Sequence, residues 1–507
     1  LKMAGIVSVL SVVVQSVGSP ALVVGGITIL LYLIYQVFYQ GGKKYPPGPT
    51  GLPVFGSVFS LLLTKRQQHE VVNEWSHKYG PIFAFKMLGT RVYVLTDPGL
   101  VSDAFHSSPD INDRMSMAIA DNITGRPNNG LVASVGEVWK EHRRFFLTVF
   151  KKIDSGVIRF EEIIGSEVER FLKEVEKKDG ESFDPCNAIN VGVANIITRL
   201  VTGVNYDHED KDFQHLIDCS DRIFQIMGPA GLFTLIPILA KIPSPVKTEI
   251  TNLSLEILKM VRKSIEIHKT EFDPEEPARD FISCYLKEMH RRKEENDPGT
   301  FDDINLLTSS FDALMGGWET STTAISWMTF TLAAHPEAQR RVRQEILDVV
   351  GSDRFPRFSD RRSMPITEAT LAECTRLRPA AAIHIPHIAS RDCKLGGYDV
   401  TKGSAITTDL WYLALSPNLW KDPQDFKPER FLDAEGQFNK KLEPLPFGYG
   451  KRVCPGEQLA RMEIFIFVTY LLQNFSLTLP EGAPTSNSGK HGLTNKPNPF
   501  KINAKKI

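Results

Sequence analysis

The chain has 507 residues, 42% of them hydrophobic and 23% charged, so it is long enough to bury a large core in one or more domains. Its formal net charge of -1 gives no global reason to expect nucleic acid, and any charge that binds a partner must be local. The 6 cysteines are scattered without a CxxC pair, which argues against a zinc site or a disulfide framework and is typical of reduced thiols.

The N-terminal segment differs in kind from the rest of the chain. Residues 3–40 carry no charge, and the apolar run at 21–39 is long enough to cross a bilayer as a helix, which needs about 20 residues. Bulky aromatic residues continue to the end of the run, which favours an uncleaved anchor over a signal peptide. Lys43 and Lys44 follow it and only Lys2 precedes it, so we expect a luminal N-terminus and a cytosolic remainder.

Composition then divides the chain into a hinge and one large unit. The segment 43–56, KKYPPGPTGLPVFG, is too rich in proline and glycine for a helix and indicates a stiff connector. No repeat or low-complexity linker follows it. We therefore predict a membrane anchor at 1–40, a hinge at 41–56 and a single large domain at 57–507.

Helical periodicity dominates the large unit. It predicts helices at 135–150, 165–176, 253–268, 304–334, 336–350, 364–377 and 455–474. Short β-like runs, such as those at 91–97 and 394–400, are the minority. The predicted fold is mainly α with small β-sheets.

The most informative segment is PFGYGKRVCPGE, residues 446–457. Pro455 is favoured at the first position of a helix, which predicts that Cys454 lies at or beside the N-cap. The free N–H groups and the dipole of a helix start stabilise a thiolate there. Such a thiolate is either a nucleophile or a metal ligand.

The rest of this segment supports a bound group near the sulfur. Gly448 and Gly450 allow the chain to turn tightly beneath it, Phe447 can shield it from water, and Arg452 can reach an anionic group. A nucleophilic cysteine needs a histidine base, and none of the 12 histidines can be assigned to Cys454 from sequence. A haem ligand needs flat apolar space and several cations.

The predicted helix at 304–334 is roughly 45 Å long and could cross the whole domain. Its adjacent glycines, Gly316 and Gly317, cost about 2 kcal/mol relative to alanines, which calls for a reason. Together with Ala313, Thr320 and Ala324 they form one face of small residues. That face either leaves room for a flat ligand and a helix kink or packs closely against another helix.

The sequence PFGYGKRVCPG matches the pattern Phe-x-x-Gly-x-Arg-x-Cys-x-Gly at every fixed position and so resembles the cytochrome P450 family. The resemblance extends from the hinge through WKEHRRF and PARDFISCYLKEM to the C-terminus. Within the family, the sequence resembles the microsomal class. It implies a cytochrome P450 fold: a single large haem domain preceded by an N-terminal transmembrane helix. It also implies haem b, with the Cys454 thiolate as the iron ligand.

The resemblance also implies roles for residues on the long helix. Glu319 and Thr320 match a Gly-x-Asp/Glu-Thr motif in which the threonine hydrogen-bonds the oxygen substrate and the acid belongs to a proton relay. Trp318 departs from the smaller residue that is common there. It lies about 200° around the helix from Thr320, so we expect it to point away from the haem.

Further motifs imply structural and cofactor contacts. Glu373 and Arg376 match Glu-x-x-Arg and, with Arg430, imply a buried cluster that holds the cysteine loop; taken alone, the pair would be an ordinary exposed ion pair. The haem contacts implied by the family are Arg114, Trp139, Arg143, Gly316, Gly317, His387, Phe447, Arg452 and Gly456. His387 alone could equally be a structural histidine.

We therefore predict a haem-thiolate monooxygenase that inserts one oxygen atom of O2 into a lipophilic molecule, with Phe311, Ala313, Ile383 and Leu493 as substrate contacts. The resemblance implies that electrons come from NADPH through a flavoprotein reductase, with cytochrome b5 as a second candidate donor. No nicotinamide or flavin motif is present, so we expect the reductase to be a separate chain. Lys140, Arg144, Lys151, Lys152 and Lys451 are candidates for a basic docking patch, although solvated lysines are common.

The expected location is the endoplasmic reticulum membrane. Two rival functions remain, a haem-thiolate isomerase, dehydratase or synthase and a non-catalytic haem protein, and both have less use for the acid and alcohol pair. A steroid, an isoprenoid, a fatty acid and a xenobiotic are equally compatible substrates.

Overall fold

The computed structural model describes residues 25–28, 30, 43–52, 55–64, 66–116, 121, 123–155, 160–234 and 244–507. The predicted anchor at 1–40 lies almost entirely outside these residues. Within the described part, no helix is both long and apolar enough to cross a membrane.

Helices make up most of the described chain, as the sequence predicts. In chain order they are α1 (Val58–Leu62), α2 (Gln68–Tyr79), α3 (Pro98–Ser102), α4 (Gly136–Ser155), α5 (Phe160–Glu176), α6 (Cys186–Thr202), α7 (Lys211–Thr234), α8 (Pro245–Thr270), α9 (Phe281–Glu294), α10 (Asp303–Ala334), α11 (Pro336–Val349), α12 (Pro365–Leu377), α13 (Leu410–Leu415) and α14 (Glu457–Asn474). Short 3-10 turns include Pro428–Phe431 and Gly450–Arg452.

Side-chain caps fix where several helices begin. The carboxylate of Asp280 accepts the backbone N–H of Ser283 at the start of α9, and Asp302 accepts that of Asn305 at the start of α10. Ser244 caps α8 in the same way, ahead of a proline at the first helical position. These contacts satisfy N–H groups that have no partner within the helix.

The long helix α10 forms the centre of the fold. It packs against α6, α7, α8, α12 and α14, and most of its side chains are buried. A helix that is apolar nearly all round is typical of the interior of a large domain. The main core joins α10 to α5, α6 and α14, so the residues of α10 are held on several sides at once.

Small sheets lie at the edge of the helical body. The strands are β1 (Ile82–Met87), β2 (Thr90–Leu95), β3 (Asp113–Arg114), β4 (His387–Ile388), β5 (Cys393–Leu395), β6 (Tyr398–Val400), β7 (Ala405–Thr408), β8 (Phe475–Thr478), β9 (Lys490–His491), β10 (Asn495–Lys496) and β11 (Asn503–Lys506). The largest sheet has the order β1-β2-β7-β4-β3, with β2 and β7 parallel and its other pairs antiparallel. Two-stranded pairs are formed by β5 and β6, β8 and β11, and β9 and β10.

The predicted helices agree with the structure to within a few residues at most ends, although α8 and α4 extend well beyond their predicted bounds. The predicted strand at 394–400 is instead a hairpin, with Leu395 opposite Tyr398 and a two-residue turn at Gly396 and Gly397. Helices α2, α6, α7 and α9 were not predicted, nor were the short helices α1, α3 and α13. In α6 the reason is physical: it is buried on nearly all sides, so no polar face marks its period.

Candidate active site

A cavity of about 530 Å³ lies between α10, α12, α14 and the loop that precedes α14. Its wall is mostly apolar. Thirteen of the residues predicted from sequence line it: Arg114, Arg143, Phe311, Ala313, Gly316, Gly317, Thr320, Ile383, Phe447, Arg452, Cys454, Gly456 and Leu493. The structure therefore brings the cysteine loop, the small-residue face of α10 and the cations into one space.

The cysteine loop is closed by backbone contacts. The N–H of Cys454 donates to the carbonyl of Phe447 at 2.9 Å. Gly448 and Gly450 have φ angles of 80° and 77°, a region that favours glycine. A methyl group on Gly450 would also lie 1.9 Å from the carbonyl oxygen of Phe105. Both glycines are thus required by the loop's geometry, as the sequence predicts.

The position of Cys454 relative to α14 differs from the prediction. The helix begins at Glu457 with Gly456 as its N-cap, so Cys454 lies two residues before the cap rather than at it. Pro455 and Gly456 form the turn into the helix instead of its first residues. The N–H of Gly456 still lowers the pKa of the thiol through a hydrogen bond, although burial outweighs it and raises that pKa.

The Cys454 side chain is exposed, but it is exposed to the cavity and not to bulk solvent. Protein atoms surround it on its other sides, which is why burial dominates its pKa. A buried, accessible thiol at the wall of an apolar space is suited to bind a soft metal centre brought in by a ligand.

Three arginines meet at one end of the cavity. Arg143 donates to the carbonyl of Val453 at 2.6 Å, which ties α4 to the cysteine loop. Burial, together with the charges of Arg452 and Arg143, lowers the pKa of Arg114 to about 9. Like charges this close need an anionic partner, and a ligand with carboxylate groups would supply it.

Two buried donors near these arginines have no partner within the described residues: Nη1 of Arg452 and Nε1 of Trp139. Trp139 does not line the cavity, but its ring lies 4.0 Å from the guanidinium of Arg452. Unpaired buried donors are rare in folded proteins and indicate an absent ligand or water. The thiol, the flat apolar space, the cations and these donors together fit haem b and its two propionates.

His387 is less well placed than the sequence predicts. It does not line the cavity, and its Nδ1–H donates to the carbonyl of Ile111 at 2.9 Å. Nε2 can therefore donate only when the ring is protonated, and burial lowers the pKa of that ring. His384, which was not predicted, lines the cavity instead.

The opposite wall is formed by α10. Gly316 and Thr320 line the cavity, and the Thr320 hydroxyl donates to the Gly316 carbonyl at 2.5 Å. Helix α10 runs without a break from Asp303 to Ala334, so the two glycines do not interrupt it. Trp318 points away from the cavity, as predicted, and packs edge-on against Phe213 with ring centroids 6.3 Å apart.

Glu319 does not line the cavity, although Thr320 does. It is buried behind the cavity wall, where Lys496 lies 3.3 Å away and the hydroxyl of Thr494, which lines the cavity, donates to it at 3.1 Å. Burial and the nearby Asp221 raise the pKa of Glu319, and the charge of Lys496 opposes them. The structure thus separates the predicted acid from the predicted alcohol.

The predicted charge cluster is assembled and buried. Arg376 makes two hydrogen bonds to Glu373, at 2.7 and 2.9 Å, and Arg430 donates to the same carboxylate at 3.0 Å. The side chains of Glu373 and Arg376 are fully buried. The cluster joins α12 to the Pro428–Phe431 turn. Removal of one charged partner would leave the others buried without a counter-charge, which is strongly destabilising.

Sequence reasoning missed several charged residues of the cavity wall, among them Asp312, Arg378 and Glu463. Asp312 accepts the N–H groups of Leu131 and Val132 at 2.8 and 2.9 Å, and burial raises its pKa to about 6. Glu463 has no hydrogen-bond partner among the described residues, and burial raises its pKa to about 8. Helical spacing could have found Glu463, because it lies seven residues after Gly456 on the same side of α14.

Comparison with known proteins gives the family of this chain. The family model "Cytochrome P450" matches residues 46–504. The chain is 33% identical over 483 residues to cytochrome P450 2J5 of Mus musculus, covering 94% of each protein. It is 34% identical over 459 residues to cytochrome P450 2J2 of Homo sapiens, covering 90% of each. It is 32% identical over 513 residues to cytochrome P450 2U1 of Rattus norvegicus, covering 97% of this chain and 96% of that protein. The chain belongs to the cytochrome P450 family.

Proposed function

We propose that this cytochrome P450 inserts one oxygen atom of O2 into a lipophilic small molecule, by hydroxylation or epoxidation. Family membership gives the reaction class, which is haem-thiolate monooxygenation with haem b. The observation that carries the proposal is a single cavity with Cys454 at one wall and Gly316 and Thr320 at the other.

The residues present would hold the haem in a defined orientation. Cys454 would bind the iron, and Arg114, Arg143, Arg452 and Trp139 would hold the propionates. When bound, the haem supplies O2 activation, which thiolate donation favours. Thr320 would turn its hydroxyl from the Gly316 carbonyl towards the oxygen substrate, and the apolar wall would exclude bulk water.

The substrate side of the cavity supports a lipophilic substrate. Ile223, Phe224 and Met227 of α7 line it, together with Phe311 and Leu493. Burial of a substrate's apolar surface against this wall is favourable by about 25 cal/mol per Å². A steroid, an isoprenoid, a fatty acid and a xenobiotic all meet this requirement, and Ala313 and Ile383 would add contacts close to the haem.

The proposed location depends on the N-terminal segment and the hinge that follows it. Residues 1–40 would anchor the protein in the endoplasmic reticulum membrane with a luminal N-terminus, and 57–507 would form the cytosolic haem domain. Within the hinge at 41–56, Lys43 pairs with Asp392 at 2.8 Å and the Tyr45 ring lies 3.4 Å from the Arg91 guanidinium, so the hinge would hold the domain at a fixed attitude.

An acidic flavoprotein reductase would carry electrons from NADPH, with cytochrome b5 as a second donor. Arg144 and Lys451 are exposed on the side of the domain that carries the cysteine loop, and Lys140 is exposed but paired with Glu137. This basic surface supports a docking site for such a donor.

The decisive experiment is turnover of the purified protein with reductase and NADPH under 18O2, using a panel of steroids, terpenoids, fatty acids and drugs. We expect a product that carries one 18O atom and requires NADPH. An isomerase or synthase would instead convert a peroxide without NADPH or O2. A haem carrier would give no product with any member of the panel.

A further inference from the structure

Glu463 on α14 is a buried acid whose carboxyl group is left without a partner. Its side chain is fully buried, and neither carboxyl oxygen has a hydrogen-bond partner among the described residues. It nevertheless lines the same cavity as Cys454. A buried carboxyl group without a partner is rare in folded proteins, because nothing offsets the free energy that its desolvation costs. Such a group in the wall of a cofactor cavity points to a role in the chemistry of that cofactor.

One continuous stretch of backbone sets the position of Glu463 relative to Cys454. Helix α14 begins directly after the cysteine loop, with Gly456 as its N-cap. Glu463 lies seven residues further along, which is about 10 Å along the helix axis. Gly456, Leu459 and Glu463 all line the cavity, so they share one face of the helix. The carboxyl group is therefore roughly 10 Å from the end of the cavity where Cys454 would bind the haem iron.

No ion pair neutralises Glu463 within the described part of the chain. Arg461, two residues before it on α14, is bound to Glu457 at 2.9 Å and to Glu443. Burial raises the pKa of Glu463 to about 8, and the nearby Ser321 hydroxyl of α10 opposes this rise. The carboxyl group is thus mostly neutral at pH 7 and ionises a little above it.

The charged groups of the other elements that pack against α14 have partners of their own. These elements include α5, α11 and the 3-10 turn Phe358–Ser363. Glu167 of α5 is bound to His208 at 2.6 Å, and Glu345 of α11 accepts the N–H of Thr367 at 2.7 Å. In the 3-10 turn, Arg361 pairs with Glu368 of α12 and Asp360 pairs with Arg354. None of these charges contributes to the pKa of Glu463.

Reduction of a bound haem changes the charge of the cavity. An iron(III) porphyrin core carries one positive charge, which a thiolate ligand balances, so one added electron leaves a net negative charge. A unit charge about 10 Å away, at an effective dielectric constant of about 20, raises a carboxyl pKa by about one unit. We propose that Glu463 is a redox-linked proton site: its carboxylate binds a proton when the haem at Cys454 is reduced and releases it on reoxidation. The inference rests on the proposed function only through the position of the haem.

The balance is one electron and one proton. The electron comes from the reductase, or from an electrode in vitro. The proton comes from solvent and converts the Glu463 carboxylate into a carboxyl group, and no other bond forms or breaks. The Ser321 hydroxyl lines the cavity and also acts on Glu463, so it offers the proton a path from water in the cavity.

The test is the reduction potential of the haem-bound protein, measured by spectroelectrochemistry from about pH 7.5 to about pH 10, a range above the pKa of Asp312 of about 6. The potential should be constant up to about pH 8, fall over about one pH unit and then be constant again. Reduction makes Glu463 bind its proton about tenfold more tightly. For a one-electron couple this tenfold change corresponds to a total fall of about 59 mV.

Two variants separate titration of Glu463 from a purely structural role. Glu463→Gln keeps the shape of the side chain but cannot ionise, so its potential should stay at the wild-type value of about pH 7.5 throughout the range. Ser321→Ala keeps the acid but removes the hydroxyl that lowers its pKa. In that variant the fall should remain and begin up to about one pH unit higher, which tests the proposal even if Glu463→Gln fails to bind haem.

Two other buried acids are the matched controls. Burial raises the pKa of Glu368, which lines the cavity, but the charge of Arg361 opposes this. Glu319 lies 3.3 Å from the ammonium of Lys496. Because each of these acids has a cation beside it, the fall should persist in Glu368→Gln and in Glu319→Gln. A fall that persists in Glu463→Gln, or that is lost in either control, would overturn the proposal.

A second measurement observes the carboxyl group itself. A protonated carboxyl group has an infrared C=O stretch that a carboxylate lacks. At about pH 8.5, the reduced-minus-oxidised spectrum should show a gain of this band in the wild type and no gain in Glu463→Gln. A wild-type spectrum without the gain would contradict proton uptake. A holoprotein without the red-shifted carbon monoxide band of a thiolate ligand would show instead that the haem position fails, which is a separate result.

Discussion

The adjacent glycines of α10 lie in different surroundings, and alanine substitution distinguishes them. A methyl group on Gly316 would have no described atom within 4 Å. A methyl group on Gly317 would lie 2.7 Å from both Cδ1 and Cγ1 of Ile197 on α6. Gly316 therefore faces the cavity, whereas Gly317 is also a site of close helix packing.

The expected magnitudes follow from these two environments. Alanine is favoured over glycine in a helix interior by about 1 kcal/mol. No described protein atom opposes this gain at Gly316, so Gly316→Ala should raise the free energy of unfolding by about 1 kcal/mol, and a lower value would show contact between the methyl group and the bound haem. At Gly317 overpacking costs about 1–3 kcal/mol, so Gly317→Ala should be neutral or up to about 2 kcal/mol less stable than wild type.

The assay is urea unfolding of the haem-bound protein, followed by circular dichroism and by haem absorbance to test for a single transition. Ile197→Val removes Cδ1 and should restore part of the stability of Gly317→Ala in a double-mutant cycle. Equal stability of Gly316→Ala and Gly317→Ala would refute the packing argument. A destabilised Gly316→Ala would show that this position does not face open space.

Three further substitutions test separate parts of the structure. Glu373→Gln leaves Arg376 and Arg430 without a counter-charge, so it should lower the free energy of unfolding by about 3–5 kcal/mol and remove most of the haem-bound yield. The control is Glu429→Gln, at an exposed pair with Arg341, which should change the free energy of unfolding by less than about 1 kcal/mol. Burial opposes the charged His268 ring, but its hydrogen bond to Asp280, the charge of Asp280 and the contact with the Ser264 carbonyl together outweigh burial and raise the pKa. The stability that results is fully present below the unfolded pKa of about 6.5 and is lost as pH rises through the raised folded-state pKa. The urea midpoint of the wild type should therefore fall as pH rises from about 6 to about 8, and in His268→Gln this fall should be smaller. Trp139→Phe removes a donor that a propionate would use and should weaken haem retention about 10- to 100-fold, measured by transfer to apomyoglobin; unchanged transfer would exclude that contact.

Local sequence patterns predicted much of this site. The glycines around Phe447, the pairing of Glu373 with Arg376 and the small-residue face of α10 all depend on neighbours within a few residues. Such short-range geometry is fixed by turns and helical periodicity, so it can be derived without a structure.

Long-range contacts could not be derived in this way. Glu319 and Thr320 are adjacent, yet a helix turns them about 100° apart, and only the tertiary structure decides which one meets the cavity. The partner that holds Glu319, Lys496, is 177 residues away in the chain. His384 likewise lines the cavity in place of His387. The segment before β4 packs against the cysteine loop, where the ring of His384 lies beside Gly448.

The central claim is that the Cys454 thiolate binds haem iron, and the reduced carbon monoxide difference spectrum tests it most directly. We predict that the wild-type protein shows the strongly red-shifted Soret band of a thiolate ligand. Cys454→His should retain haem if the cavity stays folded, but lose that band in favour of the shorter-wavelength band of an imidazole ligand. A red-shifted band that persists in Cys454→His, or that is missing from the folded wild-type holoprotein, would contradict the account.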